Sequence, residues 1–127
     1  MNAPCQVVYW YLLPAMSSTL SRELVKLGMP QKEIALALGL TPAAVSQYIS
    51  RKRGKEIKLD KRTCARITKL ARKLARRKMR DDDVMFEVCG ICALARRSES
   101  LCKLHKHITN VRECHVCTSV RRAPRCK

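Results

Sequence analysis

Apolar residues recur at helical spacing in two short segments between residues 31 and 49. Each segment places three of them on one helical face: Ile34, Ala35 and Leu38 in the first, and Val45, Tyr48 and Ile49 in the second. Gly39 tolerates the left-handed conformation that ends a helix, while Thr41 and Pro42 suit the N-cap and first position of the next one. Because so short a linker makes two helices cross steeply, the pattern predicts a helix-turn-helix.

The outward positions of the second helix are small or polar, which suits an element that enters the major groove of DNA. They are Thr41, Ala43, Ser46, Gln47 and Ser50. We expect Ser46 and Gln47 to contact base edges, with the other three flanking them. The residues expected to contact the phosphate backbone are Gln31, Lys32, Arg51, Lys52 and Arg53.

The stretch from Leu20 to Gly54 resembles the lambda-repressor-like (XRE) helix-turn-helix family. The resemblance is carried by Gln-Lys-Glu-Ile-Ala, by Gly39, and by Thr-Pro-Ala-Ala-Val-Ser-Gln-Tyr-Ile-Ser followed by Lys-Arg-Gly. It implies a DNA-binding domain whose second helix, starting near Pro42, lies against the bases. A helical hairpin with no DNA-reading role is the alternative. Turn chemistry, small-residue placement and charge all agree with the DNA-binding interpretation.

An apolar run at residues 7–13 precedes this motif and holds most of the aromatic residues. Its periodicity fits a helix or a strand, and the helical surroundings favour a helix. Because the run is apolar on every side, we expect it to be buried, either at a subunit interface or in an ordinary core. A further helix is predicted over residues 14–27, with Leu27 on its apolar face and Gly28 ending it.

A strongly basic helix is predicted from Asp60, its cap, to about Met79. Its apolar stripe contains Cys64, Ile67, Leu70, Ala71, Leu74 and Ala75. The opposite side carries Lys61, Arg62, Arg66, Lys69, Arg72, Lys73, Arg76 and Arg77. Repulsion along such a face costs stability unless an anion offsets it, and DNA phosphates would do so. The formal net charge of +17 on 127 residues also favours nucleic acid, with an acidic membrane surface as the rival partner.

Three aspartates, Asp81, Asp82 and Asp83, interrupt the basic pattern and favour the start of another helix. We therefore divide the chain into residues 1–80, with the apolar segment, the helix-turn-helix and the basic helix, and a Cys-rich unit over residues 81–127. The expected fold is all-α. It is a lambda-repressor-like helix-turn-helix bundle with a small metal-binding C-terminal unit.

Five cysteines of the second unit follow a metal-ligand pattern: Cys89, Cys92, Cys102, Cys114 and Cys117. Two C-x-x-C pairs let four thiolates converge on one ion, and the metal would stabilise a tail that has few large apolar residues. Zinc bound by the two pairs would leave Cys102 unused, or joined with His105 as an alternative pair. A fifth cysteine is easier to accommodate in an iron–sulfur cluster, which is the favoured cofactor, with zinc as the alternative. Cys5 and Cys126 are assigned no role.

The order of parts resembles a group of archaeal predicted transcriptional regulators: an apolar N-terminal segment, an XRE helix-turn-helix, a basic helix and a Cys-rich tail. This resemblance implies a regulator and leaves its target and signal open. We expect a homodimer on double-stranded DNA, because two-fold symmetry matches a palindromic operator. Loss or oxidation of the metal centre would alter DNA affinity, so that the protein would sense redox or iron state.

Two further expectations follow from what the sequence lacks. No apolar run approaches the roughly 20 residues that span a bilayer and no export signal is evident, so a cytoplasmic protein that does not enter the membrane is expected. No paired carboxylates, nucleophile motif or phosphate loop is present, so an enzyme is not expected. The alternative to a regulator is a zinc-stabilised adaptor of transcription or RNA machinery.

Overall fold

A computed structural model describes residues 4–76 and 79–110 of the chain, and all regular structure in these residues is helical. The helices are α1 (Pro4–Val7), a π-helical turn (Val8–Leu12), α2 (Leu13–Lys26), α3 (Gln31–Leu38), α4 (Pro42–Ile49), α5 (Lys61–Arg76), α6 (Asp81–Ala95) and α7 (Glu99–Thr109). This confirms the all-α prediction for the described part of the chain. Within that part, no helix is both long enough and apolar enough to cross a membrane.

The first three elements form one uninterrupted helix from Pro4 to Lys26, and Pro14 lies inside it rather than at its start. Proline has no N–H to donate to the preceding turn, so an ordinary α-helical ladder cannot continue through it. The helix widens just before it, and the N–H of Leu13 bonds the carbonyl of Val8. The predicted helix over residues 14–27 agrees with the bounds of α2 to within one residue at each end, but helical backbone also precedes it, because the π turn accommodates the proline.

The apolar run is helical, as expected, but it is buried on one side only. Val7 and Leu12 are buried in the core, whereas Tyr9 is 69% exposed and Trp10 is 52% exposed. The single chain therefore does not bury the run on every side, and burial of its exposed side at a subunit interface stays a prediction. The amphipathic tips of tyrosine and tryptophan make their exposure less costly than that of aliphatic side chains of similar size.

Helix α2 is the centre of the helix-turn-helix domain and packs against α3, α4 and α5. Leu24 of α2, Ile34 of α3 and Val45 of α4 are all completely buried in the same hydrophobic cluster. Leu27 was expected on the apolar face but is exposed, because α2 ends at Lys26 and the chain turns there. Gly28 adopts a positive φ of 88°, as expected for a residue that ends a helix.

The apolar stripe of α5 agrees with the prediction at its centre and differs at its two ends. The buried residues are Thr63, Ile67, Leu70, Ala71 and Leu74. Cys64 is half-buried and Ala75 is exposed, so the prediction that both lie on the buried stripe overestimated their burial. Thr63 was not predicted to be buried, and its hydroxyl is satisfied by a hydrogen bond to the carboxylate of Asp60. A buried threonine needs such a partner, and the hydropathy pattern alone does not reveal one.

Helices α6 and α7 share the hydrophobic core of the helix-turn-helix domain. Val84, Ile91 and Leu101 belong to the same cluster as the buried residues of α2 to α5. An ion pair adds a polar link between α5 and α6, with Lys73 Nζ 2.9 Å from Glu87 Oε1. The hydrogen bond from Lys73 lowers the pKa of the Glu87 carboxyl below its ordinary value. The division at residues 80 and 81 stays a prediction, and the core is continuous across it.

We predict that Gly54→Ala destabilises the fold more than Gly39→Ala does. Both glycines have positive φ, 77° and 64°, so each substitution strains the backbone by about 1–2 kcal/mol. A methyl group at Gly39 meets open space, whereas one at Gly54 would overlap the carbonyl group of Pro14 and lie 2.8 Å from Ser18 Cβ. Urea unfolding followed by circular dichroism should show a loss for Gly54→Ala that is larger by at least about 1 kcal/mol. Equal losses of unfolding free energy in the two variants would contradict the close contact of Gly54 with Pro14 and Ser18.

Candidate nucleic-acid interface

The turn between α3 and α4 is built as the sequence indicates. Gly39 has a φ of 64°, and the N–H of Leu40 bonds the carbonyl of Ala35 over 2.9 Å. Ala35 itself is buried where the two helices pack against each other. These contacts satisfy carbonyls at the end of α3 and fix the direction in which α4 leaves the turn.

The N-terminus of α4 is capped by Thr41. Its hydroxyl oxygen accepts a hydrogen bond of 3.1 Å from the N–H of Ala44, and Pro42 occupies the first turn. The threonine backbone is extended, as an N-cap requires. The start of the predicted recognition helix is therefore fixed by local chemistry rather than by distant contacts.

Helix α4 has one buried face and one exposed face. Val45 and Tyr48 point into the core, and Val45 is 0% exposed. The five positions expected to face the major groove are all exposed: Thr41, Ala43, Ser46, Gln47 and Ser50. The polar side of α4 is thus exposed to solvent.

The cationic loop that follows α4 folds back onto the end of that helix. The carbonyl of Gln47 accepts N–H bonds from Lys52 at 2.9 Å and from Arg53 at 3.3 Å, and Arg51 takes a left-handed φ of 59°. Gly54 then rests directly on Pro14 of α2. Arg51, Lys52 and Arg53 are all exposed, so three positive charges lie next to the exposed face of α4.

Two more predicted contact residues lie at the start of α3. Gln31 and Lys32 are exposed in its first turn, immediately after Pro30 at the N-cap. The free N–H groups and the positive end of a helix dipole at such a position favour an anion. The exposed cations of α5 add to the positive field: Lys61, Arg62, Arg66, Lys69, Arg72 and Arg76. Arg77 lies outside the described residues.

Residues 20–76 match the helix-turn-helix family HTH_3. The chain contains a DNA-binding helix-turn-helix domain of the XRE type. The matched span begins at Leu20 in α2 and ends with α5, so it includes the basic helix and extends past Gly54, where the resemblance in the sequence ended. No curated protein and no solved structure matches the chain.

The predicted metal ligands fall on two helices and beyond them. Cys89 is exposed and Cys92 is half-buried, one turn apart on α6, while Cys102 is half-buried on α7. Cys114 and Cys117 lie outside the described residues. Among residues 4–76 and 79–110, no three side chains of His, Cys, Asp or Glu are grouped as one metal ion would require. The five-cysteine ligand set therefore stays a prediction.

Sequence reasoning missed a polar contact that holds α4 in place. The hydroxyl of Ser18 in α2 donates a buried hydrogen bond of 2.9 Å to the backbone carbonyl of Tyr48 in α4. Ser18 and Ser21 are both fully buried, and both interrupt an apolar helical face. Within the described residues, the Ser21 hydroxyl has no hydrogen-bond partner. The only signal in the sequence was a small polar residue at an inward position.

Ser18→Ala and Ser21→Ala form a matched pair that tests this contact. Ser18→Ala removes the hydroxyl that donates to the Tyr48 carbonyl in the protein interior. We expect the unfolding free energy to fall by about 1–2 kcal/mol. Ser21→Ala removes a buried hydroxyl that has no partner, so its effect should be close to zero or stabilising. Urea unfolding of the two variants measures the difference. A Ser21→Ala variant that loses as much as Ser18→Ala would show that the bond to Tyr48 does not matter.

Proposed function

We propose that the protein is a sequence-specific transcriptional regulator that binds double-stranded DNA as a homodimer. One observation carries the proposal. The polar face of α4 is exposed along its whole length, while its apolar face is fixed to α2 by burial of Val45 and by the Ser18 hydrogen bond. A helix held in this way can enter a major groove without rearrangement.

Base reading is assigned to the centre of the exposed face. The Gln47 side chain carries a carbonyl oxygen and an NH₂ group, a pair that matches the N7 acceptor and N6 donor of adenine. Ser46 lies beside it and can donate to or accept from a base edge. Thr41, Ala43 and Ser50 flank these two residues, and their small size lets the helix approach the bases closely.

Phosphate contacts are assigned to the cationic loop and to the start of α3. Arg51, Lys52 and Arg53 lie at one end of α4, and Gln31 and Lys32 lie in the first turn of α3. Contacts of this kind set the orientation of the domain and carry no sequence information. The basic face of α5 would raise the affinity for any duplex and make it depend on salt.

The dimer is inferred from the size of the reading element. Helix α4 has eight residues, which is about 12 Å of helix, so one copy can contact only a few base pairs. Two copies related by a two-fold axis would read two half-sites about one helical turn apart. This doubles the number of base contacts and gives the specificity that a regulator needs.

Two substitutions should separate base reading from phosphate binding. A preferred duplex is first selected from a random pool with the natural protein, and dissociation constants are then measured for this duplex and a scrambled one. Gln47→Ala should reduce the preference by about 1–3 kcal/mol in binding free energy, because a base contact is lost. Arg53→Ala should weaken binding to both duplexes by the same factor. It should also reduce the dependence of the binding constant on salt concentration by about one phosphate contact.

The control for this experiment is Arg97→Ala, which removes an exposed cation outside the matched domain. It should leave the preference between the two duplexes unchanged. Equal losses on both duplexes for Gln47→Ala would remove this residue from base reading. Affinity that does not change with ionic strength would contradict the whole DNA-binding surface.

We further propose that the cysteines of residues 89–117 hold a metal centre that reports redox or iron state to the DNA-binding domain. Two observations support it. Cys89 and Cys92 are unpaired thiols on one helix turn, and α6 packs against α5 of the DNA-binding domain. Thiolates are ligands for both an iron–sulfur cluster and zinc, and a bound metal would stabilise the C-terminal unit.

Anaerobic purification with a visible spectrum and metal analysis tests this centre. A brown protein with iron and sulfide is the expected result and supports sensing. A colourless protein with one zinc per chain would contradict the sensing role and favour the structural adaptor. A protein without metal would contradict the centre altogether and leave the DNA-binding proposal untouched.

A further inference from the structure

A largely apolar surface runs along one side of the N-terminal helix and contains two neighbouring hollows. The first, about 370 Å³, lies between α2, the end of α3, α5 and α6. The second, about 590 Å³, lies between the π turn, α2, the end of α4 and the loop that follows α4. Leu13 and Ser17 line both hollows, so the two are parts of one continuous surface.

Three large hydrophobic side chains on this surface are exposed. Tyr9 and Trp10 border the second hollow, and Met85, which is 62% exposed, borders the first. The first hollow also reaches the core, because buried Leu20 and Ile67 form part of its lining. Single exposed apolar residues are ordinary on a protein surface, but a contiguous group of them is typical of an interaction site.

The surface differs from the rest of the chain in its charge. No charged residue lines the first hollow, and the second is lined by one cation and one anion, Arg53 and Glu56. The two hollows together therefore carry no net charge, in a chain whose formal net charge is +17. Such a surface does not attract a polyanion, whereas two copies of the chain can meet on it without the repulsion that their cationic surfaces would cause.

We propose that two copies of the chain meet on this surface, which we call the dimer face. The inference rests on the proposed homodimer and adds the surface that forms it. A two-fold dimer uses the same patch on both copies, so the patch must be complementary to itself. The dimer face offers both parts of such a fit, because exposed Tyr9, Trp10 and Met85 lie beside hollows large enough to accept side chains of this size.

The dimer face leaves the reading surface of α4 free. None of the five exposed positions assigned to the major groove lines either hollow, and Arg53 marks the edge where the face meets the cationic loop. Leu38 at the end of α3 borders the first hollow, and Leu40 in the turn before α4 borders the second. A dimer on this face would therefore fix the separation of the two reading helices, which binding to two half-sites requires.

The test measures molar mass by size-exclusion chromatography with light scattering, for the full chain alone and with the selected duplex. The natural protein should be a dimer. Tyr9→Asp and Met85→Asp should raise the dissociation constant of the dimer at least about 100-fold, because each places an unpaired carboxylate in the interface twice, once per copy. Leu36→Asp is the matched control and should stay a dimer, because Leu36 is 82% exposed on α3, lines neither hollow and changes the net charge equally. Circular dichroism checks that all three variants keep the fold.

A second readout uses the natural protein itself. Trp10 is the only tryptophan of the chain and is 52% exposed in the single copy. Acrylamide quenching of its fluorescence should fall as the protein concentration rises through the dissociation constant, because the second copy covers the indole ring. The same titration of Met85→Asp should show strong quenching at every concentration.

The outcomes separate the dimer face from the proposed function. A dimer that Tyr9→Asp and Met85→Asp disrupt and Leu36→Asp preserves supports the face. If such a dimer binds no duplex, the face is still supported and the DNA-binding proposal alone is contradicted. A dimer that persists in Tyr9→Asp and Met85→Asp, with Trp10 quenched equally at all concentrations, overturns the face and leaves the homodimer standing. A single copy both alone and on the duplex overturns the face and the homodimer together, and the surface then belongs to a different partner.

Discussion

The structure depends on the burial of α2 between α4 and the basic helix α5. Leu24 of α2 is completely buried, and Ser18 on the same helix bonds the carbonyl of Tyr48 at the end of α4. Gly54 rests on Pro14 one turn earlier, so the loop after α4 is fixed to the same support. The position of α4 and the direction of the cationic loop that follows it are thus both set by contacts with α2.

The exposed cations are separated from the small polar face of α4. The exposed face of α4 carries small and neutral polar side chains, which suit base edges. The cations lie around it, at residues 51–53, at the start of α3 and along α5. A formal net charge of +17 is self-repulsive in the free protein, and a bound phosphate backbone would offset that repulsion. The same separation explains why single substitutions should act on either specificity or general affinity.

The N-terminal helix joins the two ends of the hydrophobic core. Its first turn lies beside α6 and α7, and its last three turns form the core of the helix-turn-helix domain. Pro14 interrupts the hydrogen-bond ladder without ending the helix, so the two ends remain parts of one element. This one helix therefore contacts both the helix-turn-helix and the two C-terminal helices.

Local chemistry in the sequence determined the helix-turn-helix: Gly39 and Thr41 mark its turn, and the apolar spacing marks its buried faces. These features are readable because caps and helical periodicity involve residues only a few positions apart. Tertiary structure decided the rest. The burial of Thr63 and the bond between Ser18 and Tyr48, 30 positions apart, depend on which helices pack together. No local pattern encodes that choice, because it results from the combined burial of many side chains in one core.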